Sequence, residues 1–526
     1  MNSDRKIAEA SIILIIGNSL AYFLGFAKEI LVAAKFGVSG QMDAFYAAVT
    51  IPTLLINTLL AVFNALFIPI FCKFRSDEPE SDRLTSIMVN YILVFLAAGF
   101  LLIFAGSDLI AKMIAPGLSK ELLGQASKLT REISFMVLFS GMAGILATIL
   151  NAKKHFTATA FSSIFVTAAI AASVLVLSGK SGVSSISYGL AAGSFLQFVF
   201  LAGALYAKGY RHKFRLFGGH AGLKGIGHLS FDFLAITVVG QIGTIIDRVM
   251  ASGLAQGNIA ALGYADKLVR VPSQIFNSSI TTAAFPFFSD HAAAGKLDEL
   301  NKSLTATIRM AAFILIPATA MLIVLSKPLV KLLFERGAFT PEATALISGI
   351  FALYTLQLFF AAVAVLLSKV FFAFQDIRSI AHLSIMAVAL KAGLNLTLMR
   401  LVTPAAAGIA LATSLTEAVI MLAMLVVLRK KLGRLSLTGA LDAVARITAA
   451  SAAAALIMIA AKEYFSVSSF TNRIFNQTAD IFALTALGTL TYVIICHWLR
   501  IHELGKIKWL SLRMLNRQTG RPEAFK

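Results

Sequence analysis

Long apolar runs alternate with short polar loops from one end of the chain to the other. Fourteen such segments can be marked, at 11–36, 44–72, 84–105, 129–151, 157–178, 185–207, 228–253, 260–288, 305–326, 342–371, 379–400, 405–428, 442–461 and 477–499. At 1.5 Å rise per residue, about 20 helical residues cross a hydrocarbon core of about 30 Å. Barrel strands are about ten residues of alternating polarity, so these continuous runs predict helices. The first run is longer than the apolar core of a cleavable signal and contains Lys28 and Glu29, so it reads as the first spanning helix. The pattern predicts an all-α polytopic membrane protein of about fourteen transmembrane helices.

Charge fixes the expected orientation. Lysine and arginine collect in alternate loops: Arg5 and Lys6; Lys73, Arg75 and Arg83; Lys153 and Lys154; Lys208 to Lys224; Lys296 and Lys302; Arg378; Arg429 to Arg434. The tail adds Arg500 to Lys526, while the opposite loops GVSGQ and GLAQGN have none. Basic loops stay on the cytoplasmic side, which predicts cytoplasmic N- and C-termini and agrees with an even number of spans. The tail from Ile501 carries Trp509 and reads either as a solvated topogenic segment or as an interfacial helix on anionic lipid.

Composition sharpens this picture. The 526 residues are 58% hydrophobic and 14% charged, with a net charge of +20. Because the cations sit in short loops, topology accounts for them better than nucleic-acid binding does. Cys72 and Cys496 are far apart and support neither a disulfide framework nor a metal site. No GxxxxGK[ST] or HExxH occurs, and no nucleophile–base pair stands out, so neither a P-loop ATPase nor another enzyme is expected. No cofactor is expected; the energy would come from Na⁺ or H⁺ coupling, the membrane potential or the cargo's own gradient. One charge crossing 100 mV supplies about 2.3 kcal/mol.

The chain also matches itself at an offset of about 220 residues. Lys28 meets Arg248, Gly37 meets Gly257, and Pro52 meets Pro272. SDLIAKMIAPGLS meets SKPLVKLLFERGAFT, and LNAKKHF meets VFFAFQD. An offset of six segments keeps orientation, so the halves are parallel repeats about an axis along the membrane normal. The expected organisation is a six-helix lobe at 1–210, a cytoplasmic loop at 211–224, a second lobe at 225–434, an appended helix pair at 435–500 and a basic tail at 501–526.

The stretch LGFAKEILVAAKFG places Lys28 and Glu29 well inside an apolar segment, where a charge costs roughly 2.5–3.5 kcal/mol on insertion scales. Intramembrane ionisable groups usually face a water-filled cavity or a partner. Lys28 and Arg248 are expected to line a central cavity, joined by Lys267 and Arg270, and a cationic lining implies an anionic cargo such as a pyrophosphate. Pairing of Lys28 with Glu29 and of Arg248 with Asp247 is the competing reading, although adjacent helical residues point about 100° apart. Asn57 and Asn64 either line the cavity or tie helices by hydrogen bonds. Pro52, Pro69, Pro272 and Pro286 are expected to bend their helices. Lys391 with Asn395, Thr413 with Glu417, and Asp247 form a second cluster. It reads either as a Na⁺ or proton site or as a structural ion-pair lock.

FLGFAKEILVAAKFGVSGQMDAFYAAVTIPTLL resembles the opening of the MurJ (MviN-like) lipid II flippase family. So do YADKLVRVPSQIFNSSITTAAFPFFSDHAAAG, LFERGAFT and FFAFQDIRS further on. The similarity covers roughly residues 10–430. The resemblance implies the multidrug/oligosaccharidyl-lipid/polysaccharide exporter fold: two six-helix lobes plus two helices forming a lipid-tail groove. It implies alternating-access transport of a polyprenyl-pyrophosphate-linked, lipid II-like cell-wall precursor across the bacterial inner membrane. Lys28 stands where the family has an arginine in its GFARD motif, and Glu29 replaces the following aspartate. Asp43 matches the aspartate of TDAFF, and Lys267 replaces the arginine of YADRL. Tyr22 stands in place of the arginine of SRVLGF, and Leu55-Ile56-Asn57 in place of an LLRR-type pair. These departures leave another lipid-linked oligosaccharide, of exopolysaccharide or O-antigen type, as an alternative. A cation-coupled drug exporter and a non-transporting scaffold are further readings. Expected partners are the lipid-linked oligosaccharide, membrane lipids and cell-envelope synthesis enzymes, with the protein working as a monomer and without nucleic acid.

Overall fold

The computed structural model describes residues 2–74, 78–214, 226–277, 282–433, 438–462 and 473–505. Residues 215–224, within the expected inter-lobe loop, and the basic tail from 506, with Trp509, lie outside them. The described residues form helices without strands: α1 (Asn2–Phe36), α2 (Gly40–Phe74), α3 (Glu78–Ala105), α4 (Ser107–Ile114), α5 (Lys120–Ala152), α6 (Phe156–Ser181), α7 (Ser184–Ala207) and α8 (Ile226–Ser252). They continue as α9 (Asn258–Phe276), α10 (Thr282–Ala293), α11 (Leu297–Phe334), α12 (Pro341–Thr355), α13 (Gln357–Ala373), α14 (Ile377–Leu401), α15 (Ala405–Leu432), α16 (Thr438–Lys462) and α17 (Arg473–Trp498). Eleven helices among the described residues are long and apolar enough to cross a membrane.

The described residues of each of the fourteen apolar segments are mainly helical, with differences in detail. Segment 260–288 takes in most of α9 and the start of α10, and segment 342–371 is interrupted between α12 and α13 at Leu356. The stretch SDLIAKMI, which lies between two of the marked apolar segments, is the short amphipathic helix α4, which buries Ser107, Ala111 and Ile114. The 38 residues of α11 begin well before its apolar run at 305. A helix of that length reaches about 57 Å, so its polar first turns extend past a hydrocarbon core of about 30 Å. Pro52 and Pro69 both lie inside an unbroken α2.

The chain packs as two compact units. One comprises Met1–Ala261 with Phe334–Ala343, and the other Leu262–Leu333 with Thr344–Lys526. In the first, a buried aromatic ladder on α2 repeats every fourth residue. Phe63 stacks on Phe67 at 4.8 Å and Phe67 meets Phe71 at 5.3 Å. That spacing keeps the rings on one helix face, where they join Leu96 of α3, Val137 and Ile149 of α5 and Leu201 of α7 in one core. α6 and α7 approach closely because Gly189 and Gly193 face Ile170 and Val166. A Cβ on either glycine would come within 2.6 Å of those Cα atoms, the small-xxx-small solution for helices that cannot rely on water to drive them together.

In the second unit, Leu325 of α11, Met458 of α16 and Leu484 of α17 share a smaller core. Tyr492 donates a 2.9 Å hydrogen bond to the Phe313 carbonyl, and Arg309 pairs with buried Glu503 at 2.6 Å. The appended helix pair is thus attached to α11 by apolar packing, a phenol and an ion pair.

Candidate functional site

The two adjacent charges of LGFAKEILVAAKFG, Lys28 and Glu29, pair with each other. Lys28 Nζ lies 2.5 Å from Glu29 Oε1, with side chains 19% and 12% exposed. This corrects the expectation from the 100° helical offset: the four-carbon lysine stem is long and flexible enough to curl around to its neighbour. The pairing lowers the cost of both charges within the apolar segment.

Asp43, on the first turn of α2, is 1% exposed. One carboxylate oxygen accepts from the Gly257 N–H at 2.5 Å and the other from the Ala260 N–H at 2.7 Å. A carboxylate here satisfies donors that a helix start leaves without intrahelical partners, and it complements the positive end of the α9 dipole. Arg248 of α8 stands close enough for its charge to act on Asp43. Its Nη1 donates to the Ile259 carbonyl at 2.8 Å, and its guanidinium lies 5.2 Å from the centre of the Tyr46 ring. Asp43, Tyr46, Arg248 and the α8–α9 turn therefore form one assembly within the first unit. Sequence reasoning missed Tyr46; its spacing of three from Asp43 on a helix was the available signal.

The remaining expected residues are distributed as follows. Tyr22 is 59% exposed on α1. Asn57 is exposed on α2, whereas Asn64 accepts a 2.6 Å hydrogen bond from Thr148 of α5 and so ties two helices. Asp247 is half-buried on α8. In the second unit, half-buried Lys267 lies 5.9 Å from the Tyr264 ring centre. Arg270 is engaged one turn back, with Nε 2.7 Å from Asp266. Lys391 acts electrostatically on Glu417, and Asn395, four residues after Lys391 on the same helix, is fully buried. Thr413 spends its hydroxyl proton on the Ile409 carbonyl, at 3.1 Å. Among the described residues, no three His, Cys, Asp or Glu side chains come together as metal ligands.

Two polar cavities lie elsewhere. One, of about 540 Å³, is lined by Asn301, Lys302, Thr305 and Arg309 of α11 with Gly439 of α16. The other, of about 270 Å³, is lined by Ser81 and Asp82 of α3, Lys153 and His155 of the α5–α6 turn, and Lys208 at the end of α7. In the sequence, Lys153, Lys208 and Lys302 marked topology.

The profile of the family described as lipid II flippase MurJ matches residues 32–477. A protein of Buchnera aphidicola named as a probable lipid II flippase MurJ is 26% identical over 414 residues, covering 75% of this chain and 78% of that one. A solved structure of lipid II flippase MurJ in an inward closed conformation superposes with a TM-score of 0.74 at 24% identity, covering 93% of this chain and 99% of the other. An inward-facing multidrug transporter of the MATE family, in the MOP superfamily, gives 0.66 at 14% identity, covering 82% and 98%. These structural likenesses establish the fold.

Proposed function

The chain belongs to the lipid II flippase MurJ family, and from that premise we infer that it carries a polyprenyl-pyrophosphate-linked cell-wall precursor from the inner to the outer leaflet. The observation that carries this reading is the family match across residues 32–477, which takes in both repeats. The membrane is the bacterial inner membrane, with both termini cytoplasmic, the orientation that the loop charges favour. Transport proceeds by alternating access, with the polyprenyl chain remaining in lipid.

Within this reading, Lys28 and Arg248 receive the diphosphate. Glu29 orients Lys28 until the anion arrives, and the ammonium then exchanges one carboxylate for two phosphate oxygens. Arg248 is held by Ile259 and Tyr46, and a guanidinium has five N–H donors, enough to bind phosphate while keeping that anchor. Asp43 acts as a positioning residue for the turn that carries Ile259. Lys267 extends the basic lining, and Tyr22 and Asn57 contact the sugar. Lys391, Asn395, Thr413, Glu417 and Asp247 serve ion coupling.

The test is translocation of fluorescent lipid II by purified protein in liposomes. Lys28→Ala and Arg248→Ala are each expected to cut the rate at least about tenfold, the scale of one lost charge-assisted hydrogen bond, with normal membrane insertion. Lys28→Arg is expected to retain transport because the charge remains. Wild-type rates in both alanine variants would overturn the assignment of these two residues, and no translocation by the wild type itself would favour a non-transporting scaffold.

A further inference from the structure

The two repeats build the same turn after their α5-type and α13-type helices and finish it with opposite chemistry. After α5, the N–H of Lys153 donates to the Ile149 carbonyl, that of Lys154 to Asn151, and that of His155 to Leu150. After α13, Phe374 donates to Val370, Gln375 to Phe372 and Asp376 to Phe371, in the same pattern. Lys154 and Gln375 both take positive φ, at 64° and 55°. The turns are therefore equivalent residue for residue, and His155 corresponds to Asp376.

Asp376 completes its turn with a carboxylate. It caps α14 by accepting from the Ser379 N–H at 3.2 Å and pairs with Lys431 from the last turn of α15. His155 provides no equivalent: it stands at the start of α6 and makes no side-chain capping bond. Two lysines remain around it. Lys208 comes from the end of the following helix, as Lys431 does in the other repeat, and has no acidic partner among the described residues. Lys153 is matched by Asp82 at 2.9 Å. The imidazole feels the imbalance: burial, then Lys208, then Lys153 hold its pKa below the ordinary 6.5. These groups line the cavity of about 270 Å³, whose floor includes Phe71 and Ser81.

We propose that this cavity is a phosphate-binding site, in which an external anion takes the place that the Asp376 carboxylate fills in the second repeat. Lys208 and His155 hold it, Lys153 is shared between it and Asp82, and the uncapped start of α6 adds its dipole. The phosphate is that of an anionic lipid headgroup or free phosphate. The neighbouring surface favours the lipid: Tyr206 is 62% and Phe214 68% exposed, and Arg211 stacks 3.6 Å over the Tyr206 ring. Exposed aromatics with a stacked cation are typical of the headgroup level. The site is separate from the transported cargo's cations, and it does not depend on the transport reading.

Full-length protein in maltoside micelles tests this with two probes: radiolabelled orthophosphate by equilibrium dialysis, and dioctanoyl phosphatidylglycerol by native mass spectrometry. One equivalent of either should bind. Uptake of the lipid alone assigns a headgroup, and uptake of orthophosphate alone assigns free phosphate. His155→Asp supplies the carboxylate of the other repeat, and it should weaken binding at least about tenfold while the melting temperature holds or rises. Lys208→Ala should weaken binding comparably without His155→Asp's effect on melting. The proposal is overturned if neither probe binds the wild type, or if His155→Asp binds as the wild type does.

Discussion

At the scale of single residues, Asp43 shows how a motif position acquires its role. The family resemblance places it in a motif, and its geometry makes it the acceptor for two N–H groups at the start of α9, at 2.5 and 2.7 Å. Hydrogen bonds to a buried charge contribute about 1.5–3 kcal/mol each, and loss of a capping side chain typically costs about 1 kcal/mol. Asp43→Ala is therefore expected to destabilise the first unit by about 2–3 kcal/mol, and Asp43→Asn by about half that. Amide exchange at Gly257 and Ala260 should quicken in both variants; unchanged exchange there would exclude the capping role. The sequence indicated that Lys28, Glu29 and Arg248 matter, because charge inside an apolar run has to be explained by a partner or a cavity, and the family resemblance added Asp43. It gave no sign of which atoms they would meet. Glu29 is adjacent in the chain, but the Ile259 carbonyl is eleven residues from Arg248, and Gly257 is 214 residues from Asp43.

At the scale of elements, long apolar helices were legible because their length is set by the membrane. The exceptions were elements whose form depends on neighbours. α4 is only eight residues long, too short to stand alone, and forms where α5 covers it. The segment after α7 is another case. Tyr210 shares a 2.9 Å hydrogen bond with Ser86, and its hydroxyl meets His212 Nδ1 at 3.2 Å. His212 Nε2 lies 2.9 Å from Asn90 Oδ1, and the Asn90 amide donates to the Lys213 carbonyl at 3.1 Å. Residues 210–214 are thereby strapped along α3. Burial pushes the Tyr210 hydroxyl up to about 12, so it stays protonated. Burial also holds His212 below the ordinary imidazole value of 6.5. Between that lowered value and 6.5 the released strap binds a proton that the docked strap does not, so docking strengthens as pH rises through this window. The strap should be firm above about pH 6.5 and loosen as pH falls below it. Amide exchange along residues 210–214 at pH 7.5 and 5.5 checks this, and His212→Gln should remove the pH dependence. Equal exchange in the wild type at both values would exclude His212 as the cause.

At the scale of the whole molecule, transport by alternating access requires that one end of the helices open while the other is closed. The end of α1 is closed on the turn 334–340, and the contact is reciprocal. A Cβ on Gly37 would come within 2.2 Å of the Ala338 carbonyl oxygen, and one on Gly337 within 2.2 Å of the Ala34 carbonyl oxygen. Both glycines hold positive φ, at +57° and +61°. Only glycine combines that backbone shape with such close approach. The Ala338 N–H donates to the Ala34 carbonyl at 2.8 Å, so the two segments meet backbone to backbone, and beside that contact the Phe26 ring of α1 lies 6.1 Å from the ring of Phe334. Backbones this close suit a disulfide, which spans Cα atoms roughly 4.4–6.8 Å apart. With exposed Cys72 changed to serine, Ala34→Cys with Ala338→Cys should cross-link on oxidation. Transport should then fall to background and return on reduction, the outcome expected of segments that part once per cycle. Cross-linked protein that still moves lipid II at the reduced rate would mean that this contact stays shut throughout, and opening would have to be sought at other helix ends.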